Sequence, residues 1–183
     1  ATNVEGGGGI YVSAGCEIEL SHCLLDDNRA SSGGGMTVTS SKLNITNSIL
    51  QGNLANISGG AMLVKGEGSL LNIRNTDFVG NLAQDGNGGA ISLSDSARVE
   101  ITPRILLNDT YFMGNTAKNG RGGSVYAEKA MTFEAAASEF RCQSRRNPST
   151  PIEESYIFDA PNGGAIALST SASGRLIGTT VSG

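Results

Sequence analysis

A short glycine-led segment returns six times along the chain and constrains its fold more than any other feature. The copies read GGGIYV at residue 7, GGGMTV at 33, GGAMLV at 59, GGAISL at 88, GGSVYA at 122 and GGAIAL at 163. Successive copies start 26, 26, 29, 34 and 41 residues apart. Apolar residues alternate after the glycines, which places them on one face of a short strand. Two or three buried side chains are too few for one repeat to fold alone, so the repeats are predicted to stack around a shared core.

Two further landmarks recur between the glycine-led segments. An apolar residue precedes an asparagine by three positions at Leu25 and Asn28, Leu50 and Asn53, Phe78 and Asn81, and Phe112 and Asn115. A pair of apolar residues two positions apart comes earlier, at Ile18 and Leu20, Leu43 and Ile45, Leu71 and Ile73, and Val99 and Ile101. Three short strands in each repeat are typical of an all-β fold, the right-handed parallel β-helix.

The predicted architecture is a single solenoid domain of about six coils, three strands to a coil, over residues 1–183. We expect Ile10, Met36, Met62 and Ile91 to form one buried column along it. The pattern is already under way at residue 1 and stops within a coil, so the chain is interpreted as a segment of a larger protein. Open strand edges at the ends of a stack promote association. Further coils or other subunits are therefore expected as partners at both ends.

The recurring polar and glycine residues are predicted to form the turns of the stack. Amides placed one above another, about 4.8 Å apart, can bond along a column. Glycine supplies backbone conformations and close approaches that a Cβ forbids. The predicted turn residues are Asn28, Asn53, Asn81, Asn115, Gly34, Gly60, Gly89, Gly123 and Gly164.

Charge and hydropathy exclude several classes of function. The chain has 13 Lys and Arg against 17 Asp and Glu, a formal charge of −4. Nucleic acids and anionic membranes are held by clustered basic residues, so neither is an expected partner. No apolar run approaches the roughly 20 residues that span a bilayer. One histidine offers little for a metal site, and no cofactor is expected. Cys16, Cys23 and Cys142 are expected to form no bridge, or only a local one between Cys16 and Cys23.

Two insertions interrupt the regular spacing towards the C-terminus. The fourth repeat contains TPRILLN around residues 102–108, and the fifth contains a long loop over residues 141–162. Insertions in repeat proteins leave at the turns, often on the binding face. Arginine and aromatic residues are favoured at protein interfaces. The loop is therefore a candidate partner-binding segment through Arg141, Arg145, Arg146, Tyr156 and Phe158, with a plainly solvated loop as the alternative.

The alternation of GGA[ILV] with Phe-x-x-Asn resembles the tandem motifs of the chlamydial polymorphic membrane proteins. Residues 59–61, 88–91 and 163–166 carry the first motif, and residues 78–81 and 112–115 carry the second. The resemblance covers essentially the whole chain. It implies a β-helical passenger of an autotransporter, exposed at the cell surface or outer membrane and acting as an adhesin on host cell-surface proteins or glycans.

Three Asn-x-Ser/Thr triplets, at Asn44, Asn56 and Asn108, would serve as glycosylation sites in a eukaryotic surface protein. The expected function is thus structural or adhesive and extracellular: a stalk, an adhesin passenger or a filament component, and not an enzyme.

The alternative function is a carbohydrate-active β-helix of the lyase or hydrolase type. Its candidate site is an outward column that we align as Glu19, Asn44, Asn72, Glu100 and Glu134. The adjacent Asp26 and Asp27 and the single His22 are interpreted as turn residues. A second outward column, of Tyr11, Thr37, Leu63, Ser92, Tyr126 and Ala167, is too irregular for an ice-binding surface.

Overall fold

The computed structural model describes residues 6–13, 15–94, 104–128, 132–141, 165–169 and 173–182. Over these ranges the chain is all-β, without a helix, and its strands form four sheets in which every pairing is parallel. Consecutive repeats contribute neighbouring strands to each sheet. The predicted class of fold, an all-β chain of short parallel strands, is confirmed at this level.

The first sheet contains the glycine-led strands β1 (Ile10–Val12), β5 (Met36–Thr39), β9 (Met62–Lys65), β13 (Ile91–Ser94), β17 (Val125–Ala127) and β20 (Ile166–Leu168). The second contains β2 (Glu17–Ser21), β6 (Lys42–Thr46), β10 (Leu70–Arg74), β14 (Arg104–Asn108), β18 (Thr132–Ala136) and β21 (Ser173–Ile177). The third contains β3 (Leu24–Asp26), β7 (Ile49–Gln51), β11 (Asp77–Val79), β15 (Tyr111–Met113), β19 (Glu139–Arg141) and β22 (Thr180–Ser182).

A fourth sheet was not predicted, because three strands were expected in each repeat. It consists of the two-residue strands β4 (Arg29–Ala30), β8 (Leu54–Ala55), β12 (Leu82–Ala83) and β16 (Thr116–Ala117). A strand of two residues is too short to show an alternating pattern, which explains why sequence periodicity did not predict these strands.

The core is built from columns of equivalent side chains. Ile10, Met36, Met62 and Ile91 pair in register from strand to strand, as predicted. All but the terminal Ile10 are completely buried. In the third sheet the rings of Phe78, Phe112 and Phe140 stack at 4.8 and 4.5 Å between centroids, nearly parallel. Val181 pairs in register with Phe140 and continues this column.

The fourth copy of the apolar pair was assigned wrongly. Ile105 and Leu107 align with Leu71 and Ile73, so the supposed insertion TPRILLN contains strand β14. The predicted pair Val99 and Ile101 lies outside the described residues. Both segments alternate, so periodicity alone does not choose between them. The distance in sequence to the third sheet does distinguish them. In the structure the second residue of the pair lies five positions before the core residue of the third sheet, as in Ile73 to Phe78 and Leu107 to Phe112.

The second face of the first sheet is buried as well. We expected its column to point outward, yet Thr37, Leu63, Ser92, Tyr126 and Ala167 are all buried, and only the terminal Tyr11 is exposed. Alternation identifies which residues share a face but not whether another part of the chain covers that face. The expectation of an exposed column here was therefore wrong.

Candidate functional site

The predicted asparagine column is present as a continuous series of hydrogen bonds, which we call the amide ladder. The backbone N–H and the side-chain Nδ2 of Asn53 both donate to Oδ1 of Asn81, at 3.1 and 3.0 Å. Asn81 donates in the same way to Asn115, at 3.1 and 2.9 Å. Asn28 donates to Asn53 at 3.1 and 3.0 Å. Asn53, Asn81 and Asn115 are fully buried.

The amide ladder has a direction and uses nearly every polar atom of its interior members. The second Nδ2 proton of each residue points back to a carbonyl of the preceding repeat, as Asn81 does to Leu50 at 2.9 Å. Asn53 and Asn115 do the same with Leu25 and Phe78. A carboxylate lacks the donors and a hydroxyl lacks the reach, so only an amide fills this role. The interior ladder is therefore architectural rather than a ligand site.

The predicted glycine column lies beside the ladder, where adjacent repeats approach closely. A Cβ on Gly60 would lie 2.0 Å from the carbonyl oxygen of Gly89, and one on Gly34 would lie 2.2 Å from that of Gly60. Positive φ belongs instead to the preceding glycine of each pair, as at Gly59 with 69°. The two glycines therefore have different tasks, a close approach and a left-handed bend. Gly123 supplies the oxygen opposite Gly89, and Gly164 lies outside the described residues.

A second polar column was missed by sequence reasoning. Each turn from the second to the third sheet has two residues, and the second of them donates its side-chain proton to the carbonyl two positions earlier. These residues are Cys23, Ser48, Thr76, Thr110, Ser138 and Thr179. In the first four repeats this position is five residues before the ladder asparagine, a spacing that would have revealed it.

The cysteines of the first repeat occupy serine positions. Cys23 belongs to the column just described, and its backbone N–H donates to Oγ of Ser48 at 3.1 Å. Cys16 likewise donates its backbone N–H to Oγ of Ser41, at 3.3 Å. Both thiols are free, so the local bridge that had been left open is not formed. Cys142 lies outside the described residues.

His22 and Asp27 are turn residues, as predicted, whereas Asp26 is the last residue of strand β3. His22 is the first residue of its turn, with φ of 56°, at the position of Asn47 and Asn75 in the next two repeats. Asp26 aligns with Gln51, and Asp27 follows it with φ of 51°. Both carboxylates are exposed.

The proposed acidic column is only partly correct. The register through the second sheet is Glu19, Asn44, Asn72, Leu106, Glu134 and Arg175. Leu106 occupies the place expected for Glu100, which lies outside the described residues. Glu19 and Glu134 are four strands apart, about 19 Å at the spacing of a sheet. A glycosidase pair needs about 5 to 9.5 Å. These two carboxylates therefore cannot act together on one glycosidic bond.

Among the described residues, three exposed apolar side chains lie on the solvent-facing side of the third sheet. We call this surface the outer face of the third sheet. Leu24, Ile49 and Met113 are 59%, 40% and 39% exposed. Asp77 lies in the column of Leu24 and Ile49, between Ile49 and Tyr111, whereas Met113 lies in the neighbouring outward column with Gln51. Burial raises the pKa of the Asp77 carboxyl above its ordinary value. Sequence reasoning did not identify this face as a candidate site.

The three glycosylation triplets differ in setting. Asn56 is exposed in the turn after β8, whereas Asn44 lies half-buried within β6. Asn108 is half-buried at the end of β14, and the hydroxyl of Thr110 in the same triplet donates to the Asn108 carbonyl at 3.1 Å.

The candidate partner-binding loop falls almost entirely outside the described residues. Of its named side chains only Arg141 is described, at the end of β19 with its guanidinium paired to Glu139. Arg145, Arg146, Tyr156 and Phe158 are not among the described residues. The described part of the chain contains no cluster of three or more His, Cys, Asp or Glu side chains arranged to bind a metal ion. It also contains no helix of the length and apolarity needed to cross a bilayer.

Comparison with known proteins gives no match: no protein-family model, no curated protein and no solved structure is similar to this chain.

Proposed function

We propose that the chain is a right-handed parallel β-helix of about six coils, part of a larger extracellular or cell-surface protein, with a structural and adhesive role. The observation that carries the proposal is the continuous register of equivalent residues through all four parallel sheets. Such a stack works as a stalk, an adhesin passenger or a filament component rather than as a scaffold for one deep pocket.

The interior chemistry supports a structural role. The buried polar residues of the amide ladder and of the serine and threonine column bond to neighbouring repeats or to their own turns. Six strands at about 4.8 Å apart give a rise of about 24 Å. A short, stiff spacer of this kind holds the segments at its two ends at a fixed separation.

The outer face of the third sheet supports an adhesive role. Leu24, Ile49 and Met113 offer apolar contact area to a protein or glycan surface. The partly desolvated Asp77 adds a hydrogen-bond acceptor within that area. The proposed partner-binding loop over residues 141–162 starts at Arg141, the last residue of β19 in the same sheet.

An extracellular location accords with the resemblance to the chlamydial polymorphic membrane proteins and with the exposed triplet at Asn56. Secretion of the chain from eukaryotic cells, followed by mass spectrometry of peptides containing Asn44, Asn56 and Asn108, measures whether the triplets are used.

Adhesion is tested with beads that display residues 1–183 on cultured epithelial cells and on immobilised glycans. Ile49→Lys and Met113→Lys should each reduce bead retention at least several-fold, because they place a charge in the apolar area. Thr46→Lys is the matched control, since Thr46 lies in the outward column at the end of β6, in the second sheet rather than the third. NMR contacts between register partners such as Val38 and Val64 test the stacked-coil fold of the same chain. Equal retention of all variants would contradict the adhesive role.

A carbohydrate-active β-helix is the second candidate. Glu134 and Arg175 are neighbours in the outward column of the second sheet, where a carboxylate and a cation face one side of a parallel sheet. Incubation with acidic polysaccharides tests for unsaturated products or new reducing ends. Turnover that Glu100→Gln or Glu134→Gln abolishes would replace the structural proposal with an enzymatic one.

A further inference from the structure

The methionines of the chain lie in two different environments. Met36 and Met62 are completely buried in the core column of the first sheet, whereas Met113, at the end of β15, is 39% exposed. The fourth methionine, Met131, lies outside the described residues. A thioether is converted to a sulfoxide where an oxidant reaches its sulfur. Of the three methionines that the structure describes, Met113 is therefore the one open to oxidation.

Met113 has a hydrogen-bonded neighbour on the same surface. Tyr111 lies two positions earlier on β15, so both side chains are on the outer face of the third sheet. The Tyr111 hydroxyl donates to Sδ of Met113 at 3.4 Å. This bond engages one of the two lone pairs of the sulfur and leaves the other accessible to an oxidant. Because a sulfoxide sulfur is chiral, attack through one lone pair yields one of its two epimers.

Oxidation of Met113 would place a polar group in an apolar part of the outer face. Val79, the register partner of Met113 on β11, is half-buried beside it, and Ile49 and Leu24 lie further along the same face. A sulfoxide turns a flexible apolar side chain into a polar one and disrupts contacts that depend on methionine. The change therefore acts on the surface to which adhesion is assigned.

Building on the proposed adhesive role, we propose that Met113 is a reversible oxidation site, positioned by Tyr111, that controls adhesion through the outer face of the third sheet. The oxidant is hydrogen peroxide. A lone pair of the Met113 sulfur attacks one peroxide oxygen, so an S–O bond forms as the O–O bond breaks. The proton of the transferred oxygen passes to the departing hydroxide, which leaves as water. Sulfur loses two electrons and the peroxide gains them.

The site is tested by the rate at which each methionine is oxidised. Residues 1–183 are treated with hydrogen peroxide at neutral pH, and mass spectrometry of the peptides follows each sulfoxide. Met113 should react at least about ten-fold faster than Met36 and Met62, because peroxide reaches a core sulfur only when the fold opens. The same chain in urea is the control, and there the three rates should converge. Similar rates in the folded chain would overturn the proposal.

The positioning by Tyr111 is tested by the stereochemistry of the product. Two methionine sulfoxide reductases, each specific for one epimer, are applied separately to the oxidised chain with a thiol reductant. The sulfoxide oxygen leaves as water, and two thiols become a disulfide. One reductase should restore at least about three-fold more Met113 than the other, the factor that a weak hydrogen bond supplies. In Tyr111→Phe, which lacks the hydroxyl, both should restore similar amounts. Equal repair in the parent chain would refute the positioning.

The effect on adhesion is measured with the same bead assay. Oxidised beads should be retained about five-fold less, since an unpaired polar group is then buried in an apolar contact, and reductase treatment should restore them. Met113→Leu is the matched control because it lacks the sulfur. Its retention before and after the same peroxide treatment should be equal, which also accounts for oxidation of the free thiols of Cys16 and Cys23.

The proposed function and the oxidation site fail in different ways. Retention that falls with Met113→Lys but not with the sulfoxide would refute the control of adhesion by oxidation and leave the adhesive face in place. Retention that changes with neither would refute the adhesive role itself. In that case the peptide masses still decide whether Met113 is the preferred site of oxidation.

Discussion

Removal of the interior side-chain amide of Asn81 should destabilise the protein far more than removal of the amide of Asn28, the ladder residue of the first repeat. Asn81 is fully buried, and its side chain takes part in four hydrogen bonds: two donated by Asn53, one to Leu50 and one to Asn115. Asn81→Ala leaves the backbone N–H and one Nδ2 proton of Asn53 without an acceptor, and both groups are buried away from water. At about 1 to 3 kcal/mol for each buried orphan, we expect a loss of about 3 to 5 kcal/mol in the free energy of unfolding.

Asn28→Ala is the matched control. The side chain of Asn28 makes a single ladder bond, to Oδ1 of Asn53, and that oxygen still receives the backbone N–H of residue 28 in the variant. The expected loss is about 1 kcal/mol. Urea unfolding followed by circular dichroism measures both variants, and native-state hydrogen exchange at Asn53 reports the local opening. Losses within about 1 kcal/mol of each other would refute the argument that buried, directional amides hold the repeats together.

Three further outcomes follow from the turns and from the outer face. Gly60→Ala should cost more than about 3 kcal/mol, because its Cβ would overlap the carbonyl of Gly89, whereas Gly80→Ala, with positive φ but open space, should cost only about 1 kcal/mol in the same urea titration. Ala137 has φ of 46°, so Ala137→Gly should raise the unfolding midpoint by the equivalent of about 0.5 to 1 kcal/mol, and an unchanged or lower midpoint would count against the strain. Burial raises the pKa of Asp77, so the folded state holds its proton more tightly than the unfolded state and stability falls as pH rises through the folded pKa. Asp77→Asn should therefore stabilise the protein at pH 7, with the gain vanishing below the ordinary pKa of 3.8, and thermal melts across that range measure it.

Much of the strand pairing could be predicted from the sequence, because the same residue types recur at matching positions. The columns headed by Ile10 and by Leu25 follow directly from alternation and from the apolar-x-x-Asn spacing. The amide ladder follows too, since a buried asparagine in a stack has few partners other than its own kind.

The misassignments came from features that periodicity does not encode. Val99 to Ile101 and Ile105 to Leu107 alternate equally well, and only the five-residue spacing to Phe112 distinguishes them. The cover over Ser92 and its neighbours depends on contacts made across the fold rather than along a strand.

The turn column that includes Cys23 was hidden because three residue types, Cys, Ser and Thr, perform one hydrogen-bonding task there. The sequence also could not show which of the three glycosylation triplets is exposed, as the one at Asn56 is, because exposure depends on how the surrounding chain packs.

Some turns of the repeat have a fixed length, and others vary in length from repeat to repeat. Among the described residues, ten connections lead from the second to the third sheet or from the third to the fourth. Each has two residues, and the first of them has positive φ in every case. The links from the fourth sheet back to the first vary from the five residues 31–35 to the seven residues 118–124. A foreign epitope inserted between Asp85 and Gly86, ahead of the close approach at Gly89, would therefore leave the stack intact, whereas the same insertion at residues 47–48 would disrupt the pairing of the second and third sheets.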